Sequence, residues 1–317
     1  MGYLFAIFEE TYMNDSKLKR KLVEIYEMYY EKHRLFILRT KYHLNIMNYD
    51  KTIDYIEKNH CSIARFGDGE FDLITDTRDL GFQPGSKEIS IRLREVLMNH
   101  NQNLLICIPR CFNTIKGCNT HSATFWIEWG KKDNHHQKIV DLIRSLTGRK
   151  YLFGDSQITR PYIDWETSDR AKRTFPKLKH LWQDKDIIII EGEQTRLGIG
   201  NDLFDYAKSI QRILAPAVGA FEKYDEIKQA ILENYHGELI IMALGPTATI
   251  LAADLSDIGI QALDIGNIDI EYEWFLRGVK ERVAIPGKFT NEVQNGRTYS
   301  ECPDERYLSQ IVSRIGC

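Results

Sequence analysis

The chain has 317 residues, of which 43% are hydrophobic and 27% charged, and its formal net charge is −3. This length allows one large α/β domain or two smaller ones, and the composition is typical of a folded globular protein. The small net charge gives no general attraction to polyanions, so nucleic acid is not expected as a partner.

The first 47 residues differ from the rest and predict an N-terminal helical extension. Asp15 or Ser16 could cap a helix in this region. Apolar side chains then recur at helical spacing, at Leu18, Leu22, Ile25, Tyr29 and Phe36. We expect this helix to pack on its own domain. A homodimer contact and a basic peripheral contact with a membrane surface are the alternatives.

Residues 48–317 alternate between strand-like and helix-like segments. Strands are predicted at Cys61–Arg65, Leu104–Ile108, Ile187–Ile190, Ile213–Ala215, Leu239–Leu244 and Ala262–Ile265. Helices are predicted at Thr52–Asn59, at Lys87–Asn99, at Asn134–Leu146, near Leu203, from Glu222 and up to about Gly259. Continuous apolar strands that alternate with helices predict one α/β domain, a Rossmann-like and mostly parallel sheet with helices on both faces. Ligands of such sheets bind at the carboxyl ends of the strands.

The six cysteines match no standard zinc spacing. Cys61 and Cys107 lie in apolar runs, where a reduced cysteine behaves as a small hydrophobic residue. A structural metal at Cys107, Cys111 and Cys118 is the less favoured alternative. Because the chain also has no apolar stretch long enough to span a bilayer, we predict a cytoplasmic protein, with the inner face of the cell membrane as the alternative.

An acidic turn follows the first predicted strand. Asp68 and Glu70 flank Gly69, which lets the backbone bend tightly. In an extended or turning backbone, residues two apart project to the same side, so the two carboxylates can converge. Converging carboxylates repel unless a cation or proton lies between them, and Mg²⁺ or Mn²⁺ suits oxygen ligands. An ordinary surface turn is the alternative.

A glycine-rich connection follows the strand at Ile187–Ile190. Its residues from Glu191 to Asn201 include Gly198 and Gly200, and such turns free backbone N–H groups for a phosphate. Arg196 could add a bidentate phosphate contact. The dinucleotide fingerprint and the P-loop are both absent, so an ordinary strand-to-helix connection is the alternative.

Two further segments could contact phosphate. Gly245, Pro246 and Thr247 follow a predicted strand in the same way, although a role for Thr247 as a helix cap explains them without a ligand. Arg160 precedes Pro161, which favours an extended backbone. This arginine could reach a phosphate or pair with a surface acid, and local sequence does not decide between the two.

Three acids follow the last predicted strand of the sheet. Asp269, Glu271 and Glu273 share a face if the segment is extended, and Asp269 and Glu273 share one if it is helical. Neither geometry supplies a basic partner at that spacing. A general base or a second metal site is the functional interpretation.

Several motifs together resemble the GT-D glycosyltransferases. They are SIARFGDGEFDLI, the Gln83 that follows it, TRPYID, EGEQTRLGIGNDLFDYAKSIQRILAPAVGAF, LGPTATILAADL and DIGNIDIEYEWF. The match runs in order from about Ser62 to Gly278. Asn267 departs from the histidine expected in many relatives, and the stretch before Asn48 is an addition.

The resemblance implies a Rossmann-like domain that transfers a sugar, typically from UDP-glucose, to a glycan. It also places the family's D-x-E motif on Asp68 and Glu70, with Mn²⁺ or Mg²⁺ as cofactor. We therefore predict a hexosyltransferase with a glycan, glycoprotein or lipid-linked acceptor. Asp269 is the favoured base, ahead of Glu271 and Glu273. The predicted nucleotide-sugar contacts are Arg65, Gln83, Arg160, Arg196, Gly198, Gly200, Asn201, Gly245, Pro246 and Thr247.

Two other functions would use similar residues. A metal-dependent phosphoesterase would use the same acids and arginines for hydrolysis. A non-catalytic nucleotide- or glycan-binding module would bind the same ligands without turnover.

Overall fold

An eight-stranded parallel sheet organises the part of the chain that the computed structural model describes, residues 36, 43–75, 80–296 and 304–316. Its strands are β1 (Ser62–Arg65), β2 (Leu104–Ile108), β3 (Gly154–Asp155), β4 (Asp186–Gly192), β5 (Ser209–Ala215), β6 (Leu239–Ala243), β7 (Ala262–Asp264) and β8 (Ile311–Arg314). Their order across the sheet is β3-β2-β1-β7-β6-β4-β5-β8, and every pairing is parallel. This sheet confirms the predicted fold class.

Helices cover both faces of the sheet. They are α1 (Tyr49–Asn59), α2 (Asp68–Thr75), α3 (Lys87–Met98), α4 (Thr120–Lys131), α5 (His135–Thr147), α6 (Asp169–Leu181), α7 (Tyr224–Asn234), α8 (Pro246–Asp257), α9 (Ile268–Arg277) and α10 (Glu305–Gln310). One face packs against α2, α3, α5, α7 and α8, and the other packs against α1, α6 and α9. The sheet is therefore buried on both sides, as parallel sheets usually are.

Strand β4 shows why an uninterrupted apolar run is stable here. Ile187, Ile188, Ile189 and Ile190 are all fully buried. Successive side chains of a strand point to opposite faces. Accordingly, Ile188 and Ile190 join one core cluster while Ile187 and Ile189 join the other. Two buried faces require apolar residues at every position, which is the pattern that the sequence carries.

The end of the predicted N-terminal extension packs on the domain. The Met47 amide donates to the Phe153 carbonyl at 2.9 Å, and Leu44 is buried. The predicted helix that carries Leu18 to Phe36 lies outside the described residues, apart from Phe36. The boundary at residue 47, the homodimer and the membrane contact therefore stay predictions.

Within residues 43–75, 80–296 and 304–316, none of the helices combines the length and the apolar character needed to span a bilayer.

The predicted helix near Leu203 is wrong. Residues 201–206 form bends and turns between β4 and β5. Leu203 and Phe204 are buried because they pack against Trp182, whose indole nitrogen donates to the Leu203 carbonyl at 2.8 Å. Their apolar character reflects this tertiary contact and not a helix.

Several elements were not predicted from the sequence. Strand β3 is too short to give a pattern, because it has only two residues. Helix α6 contains Pro176, and proline is unfavourable inside a helix, so the sequence did not predict this helix. Helices α4 and α10 and strand β8 were also missed. The segment from Asn267 to Trp274, for which strand and helix were both considered, is helical and belongs to α9.

Candidate active site

A cleft of about 590 Å³ opens at the carboxyl ends of the strands. The chain moves outward from β1 to β2 and β3, and later returns through β6 and β7 to lie beside β1. Strands β1 and β7 therefore form the topological switch point, where parallel α/β sheets bind ligands. Residues that follow both strands line the cleft, including Gly67 and Gly266.

The last residues of these two strands form an ion pair. Arg65 Nη2 lies 3.3 Å from Asp264 Oδ1, and Arg65 Nε donates to the Asp264 carbonyl at 2.8 Å. Arg65 also donates to Thr159 Oγ1 at 2.6 Å. Burial raises the pKa of Asp264, and the charge of Arg65 offsets part of this effect. Arg65 is thus fixed where it lines the cleft, as predicted, while its partner Asp264 was not identified from the sequence.

Asp68 and Glu70 both line the cleft, but not for the reason that the sequence suggested. Helix α2 begins at Asp68, so the two residues are roughly 200° apart around a helix instead of on one side of an extended turn. Glu70 Oε2 accepts from the Gly67 amide at 2.7 Å, as in a capping box. Burial is the main reason that the pKa of Glu70 rises to about 7.

Both carboxylates line the cleft, and carboxylate oxygens are the ligand type that a hard divalent ion prefers. Mg²⁺ and similar ions commonly use one or two protein carboxylates and take the other ligands from water and substrate phosphates. Among the described residues, no group of three or more histidine, cysteine, aspartate or glutamate side chains could hold a metal without such help. A metal at Asp68 and Glu70 stays a prediction, and the donor chemistry is compatible with it.

Arg160 lines the cleft within a charged network. Its guanidinium pairs with Glu292, which also lies 2.8 Å from Arg282 Nε and accepts from Asn267. Burial alone would raise the pKa of Glu292, but the charges of Arg160 and Arg282 lower it to about 2. Arg160 therefore pairs with an acid, and this acid lines the same cleft. Its contact with a phosphate stays a prediction.

Of the three predicted acids in α9, only Asp269 lines the cleft. Its Oδ1 accepts from the Gly198 amide at 2.9 Å and from Asn201 Nδ2 at 2.8 Å, and its Oδ2 lies 2.6 Å from Lys288 Nζ. Glu273 shares both side-chain partners, Asn201 and Lys288. The expectation that no basic partner occurs at this spacing is wrong, because Arg277 Nη2 lies 3.1 Å from Glu273 Oε2, four residues later in the same helix. Lys288 supplies a second cation from beyond the helix.

Glu271 faces away from the cleft, into the protein. Its Oε2 accepts from the amides of Tyr162 and Ile163 at 3.0 and 3.1 Å, and Oε1 lies 3.8 Å from Arg160 Nη1. Burial raises the pKa of Glu271 to about 8. Glu271 thus holds the loop that follows Arg160. Neither Glu271 nor Glu273 is among the residues that line the cleft.

The predicted glycine-rich loop contributes less to the cleft than expected. Its lining residues are Gly192, Thr195 and Leu197. Arg196 has a φ of 52°, and its Nη1 donates to the Gly287 carbonyl at 2.7 Å. Gly198 and Asn201 bind Asp269 from behind, and Gly200 also lies outside the lining set. The loop leads into turns and not a helix, so it offers no helix amino end for a phosphate.

Gln83 and Gly245 both line the cleft, and their contact with a nucleotide sugar stays a prediction. Gln83 Oε1 accepts from the Phe221 amide at 3.2 Å. Gly245 has a φ of 54°, and the Phe82 ring lies where a β-carbon would be, so this position requires glycine.

The predicted cap at Thr247 is wrong. Gly245 is the N-cap of α8 and Pro246 occupies the first turn, where proline is favoured. Thr247 lies inside the helix, and its fully buried Oγ1 has no hydrogen-bond partner among the described residues. Pro246 and Thr247 do not line the cleft themselves.

Other lining residues were missed by the sequence reasoning. Helix α4 contributes His121, Phe125 and Trp126, and the segment after α9 contributes Phe289 and Asn291. The aromatic content of α4 was visible in the sequence, but only the sheet order shows that this helix borders the same cleft as β1 and β7.

A parallel α/β sheet with a polar cleft at its switch point is the architecture of many nucleotide-dependent enzymes. The model of the family described as "Glycosyltransferase GT-D fold" matches residues 63–293. The chain belongs to this family. The resemblance predicted from the sequence is confirmed.

Relatives and solved structures agree with this assignment. The chain is 39% identical over 273 residues to "Probable glycosyl transferase Gly" of Streptococcus gordonii and 37% identical to "Glycosyltransferase GlyD" of Streptococcus pneumoniae. Each match covers 86% of this chain but only 39% and 33% of the respective relative. The chain thus spans between a third and two fifths of the length of these curated relatives.

Two solved structures share the whole fold. One is described as a new glycosyltransferase from Streptococcus sanguinis, with a TM-score of 0.78 and 38% identity over 86% of this chain. The other is a domain of unknown function 1792 described as having a distinct glycosyltransferase fold. Its TM-score is 0.81, and it is 35% identical over 90% of this chain. Both matches cover 100% of the solved chain.

Proposed function

We propose that the cleft transfers a hexose, with glucose the first candidate, from a UDP-sugar to a glycan, glycoprotein or lipid-linked acceptor in a metal-dependent reaction. The observation that carries this proposal is that Asp68, Glu70 and Arg65 line one cleft at the switch point, together with Gly245, the N-cap of α8. Membership of the glycosyltransferase family supports the reaction class.

The charge of the cleft supports the metal requirement. Its lining includes three arginines and five carboxylates. Each of the arginines already pairs with an acid, in the pairs Arg65–Asp264, Arg160–Glu292 and Arg282–Asp164. A diphosphate would therefore enter a cleft with excess negative charge. Mn²⁺ or Mg²⁺ held by Asp68 and Glu70 would offset this charge and stabilise the charge that develops on the departing UDP.

The amino end of α8 supports a phosphate position. The helix dipole is positive at this end and favours an anion, although Pro246 has no N–H and the Ala248 amide donates to the Gly245 carbonyl. Gly245 brings the backbone of this helix to the cleft without a side chain. We assign the donor to this end of the cleft, with Gln83 beside it. Arg196, Gly198, Gly200 and Asn201 would act on the donor only indirectly, through Asp269 and the backbone near Gly287.

Asp269 is the proposed base. A carboxylate offers about four lone-pair positions, and Gly198, Asn201 and Lys288 use three of them. The remaining position can accept the proton of an acceptor hydroxyl in the cleft. In the reaction, the hydroxyl oxygen would bond to the anomeric carbon, the bond from that carbon to the diphosphate oxygen would break, and UDP would leave. Glu273 would act by holding Lys288, and Glu271 by holding the loop beside Arg160.

A screen of UDP- and TDP-hexoses tests this function. UDP or TDP release should require Mn²⁺ or Mg²⁺, should stop with a chelator and should rise when a glycan acceptor is added. Equal release with and without acceptor would indicate a phosphoesterase instead. UDP binding that is independent of metal and is followed by no turnover would indicate a binding module.

A further inference from the structure

Helix α4 presents an aromatic surface to the cleft, formed by His121, Phe125 and Trp126, which we call the aromatic shelf. Only Ser122 and Gly130 of this helix are buried. Phe125 is 38% exposed although it is a large apolar residue. Exposed apolar patches on a folded protein commonly mark binding surfaces.

The shelf is held rigidly from behind. The Phe125 and Trp126 rings meet edge to face with centroids 5.4 Å apart, and Trp126 meets Phe112 in the same way at 5.9 Å. One turn further along, Trp129 stacks on Phe112 and donates its indole N–H to Asp72 at 3.0 Å. The aromatic surface is therefore formed before any ligand binds, which lowers the entropic cost of binding.

The shelf lies at the opposite end of the cleft from the proposed donor position. Helix α4 follows β2, whereas Gly245 follows β6. Three strand spacings separate β2 from β6 in the sheet, a distance of about 14 Å. Asp68 and Asp269 follow β1 and β7, which lie between these two strands. A ligand on the shelf would therefore approach the reacting centre from the side opposite the nucleotide.

We propose that the aromatic shelf binds a pyranose ring of the glycan acceptor. Sugar rings have an apolar C–H face that packs on aromatic rings, while their hydroxyl groups need polar partners at the edge. His121 lines the cleft four residues before Phe125 and can supply one such polar partner. The Gln157 amide also lines the cleft, and because its oxygen accepts from the Cys111 thiol, it can offer its NH₂ group to a hydroxyl. This proposal rests on the proposed transferase function. Aromatic rings could also stack on the uracil base of the donor, and this is an outcome of the test.

The test uses ligand-observed saturation-transfer NMR with methyl β-glucoside, methyl β-galactoside and methyl β-N-acetylglucosaminide, each without nucleotide. Methyl glycosides are chosen because their aglycone cannot stack by itself. At least one should receive saturation at its ring C–H protons from the wild-type protein. Phe125→Ala should weaken the affinity about tenfold, and Phe125→Trp should restore it. Ile127→Ala on the same helix, outside the cleft lining, is the matched control and should bind as wild type does.

Calorimetry with UDP and Mn²⁺ separates the shelf from the donor site. Phe125→Ala should leave the UDP dissociation constant within about twofold of the wild-type value. A large loss of UDP affinity would assign the shelf to the nucleobase and overturn the proposal, as would the absence of saturation transfer to all three glycosides. If UDP fails to bind the wild-type protein, the proposed transferase function fails, while the glycoside experiment still decides whether the shelf binds sugar.

Discussion

Lys288 Nζ lies 2.6 Å from Asp269 Oδ2 and 3.3 Å from Glu273 Oε1, and all three side chains are almost completely buried. This contact joins α9 to the irregular segment that follows it. The segment is held at two further points, where Arg196 donates to the Gly287 carbonyl and the Phe289 amide donates to the Gln194 carbonyl. One buried ammonium thus pairs with both acids, with Arg277 as a second cation beside Glu273, and positions a wall of the cleft.

Replacing this lysine should destabilise the protein strongly. Lys288→Met keeps much of the apolar stem but leaves Asp269 buried without a cation, while Glu273 keeps only Arg277, and such losses cost about 3–5 kcal/mol. Urea unfolding measures this change. Lys208→Met removes a lysine from an exposed pair with Asp186 and is the control, with an unchanged midpoint expected. Equal stability of Lys288→Met and the wild type would show that the buried pairing does not exist in solution.

Neutral replacements of the proposed metal ligands should abolish metal-dependent activity. Asp68→Asn and Glu70→Gln remove the negative charge, while the glutamine oxygen can still accept from the Gly67 amide and preserve the start of α2. UDP release from UDP-hexose should fall to the level seen with a chelator, with unchanged circular dichroism. Glu233→Gln, on the exposed face of α7, should behave as wild type does. Normal turnover in either cleft variant would remove that residue from the site.

Asp269→Asn should separate catalysis from donor binding. Loss of a general base typically lowers kcat by about 10²-fold or more, whereas UDP affinity with Mn²⁺ should be retained. The asparagine oxygen can still accept from Gly198 and Asn201, which limits structural damage. A kcat close to that of the wild type would assign the proton transfer to another group, and a loss of UDP affinity would show that Asp269 acts mainly as a structural support.

Glu271 should make stability depend on pH. Its pKa is about 8 in the native state and about 4.3 in an unfolded chain, so between these values the native state holds a proton that the unfolded state has lost. Stability should therefore fall as pH rises through this window, by at most about 1.4 kcal/mol per pH unit from this group. Glu271→Gln removes this contribution. Glu70 remains in the variant, and because its pKa is also raised, it also lowers stability as pH rises.

Urea unfolding of the wild type and Glu271→Gln between about pH 5 and pH 8 measures the difference. The variant should show the shallower decline. Parallel curves for the two proteins would mean that Glu271 is ionised throughout this range in the folded protein.

Gly266→Ala should disturb the switch point specifically. Gly266 has a φ of 47°, and a β-carbon there would collide with the Arg65 guanidinium. Gly259 has a φ of 81°, but a β-carbon there would meet nothing within 4 Å. In both variants the alanine must adopt a left-handed backbone conformation, which costs of order 1–3 kcal/mol. Only Gly266→Ala also displaces Arg65. Its kcat/KM should therefore fall well below that of Gly259→Ala, and equal values would exclude a role for Arg65 in the site.

The sequence alone was sufficient for the main strands, the fold class and the family. Apolar runs such as Ile187–Ile190 specify buried parallel strands because each residue must suit an apolar face. The sequence also located candidate residues near the carboxyl ends of these strands. Those that line the cleft in the structure are Arg65, Asp68, Glu70, Gln83, Arg160, Gly245 and Asp269. Local patterns carry this information because the carboxyl end of each strand lies at the same edge of the sheet.

Which of these side chains face the cleft was decided only by the tertiary structure. Arg196 and Asp269 both follow strands. Asp269 lines the cleft, whereas the Arg196 guanidinium donates to the Gly287 carbonyl behind the loop. Lys288, Glu292 and the rings of α4 reach the site from distant parts of the chain, and no local spacing relates them to it. A buried charge is stabilised by whichever opposite charge folding brings near it, and that choice depends on packing between elements rather than on periodicity within one of them.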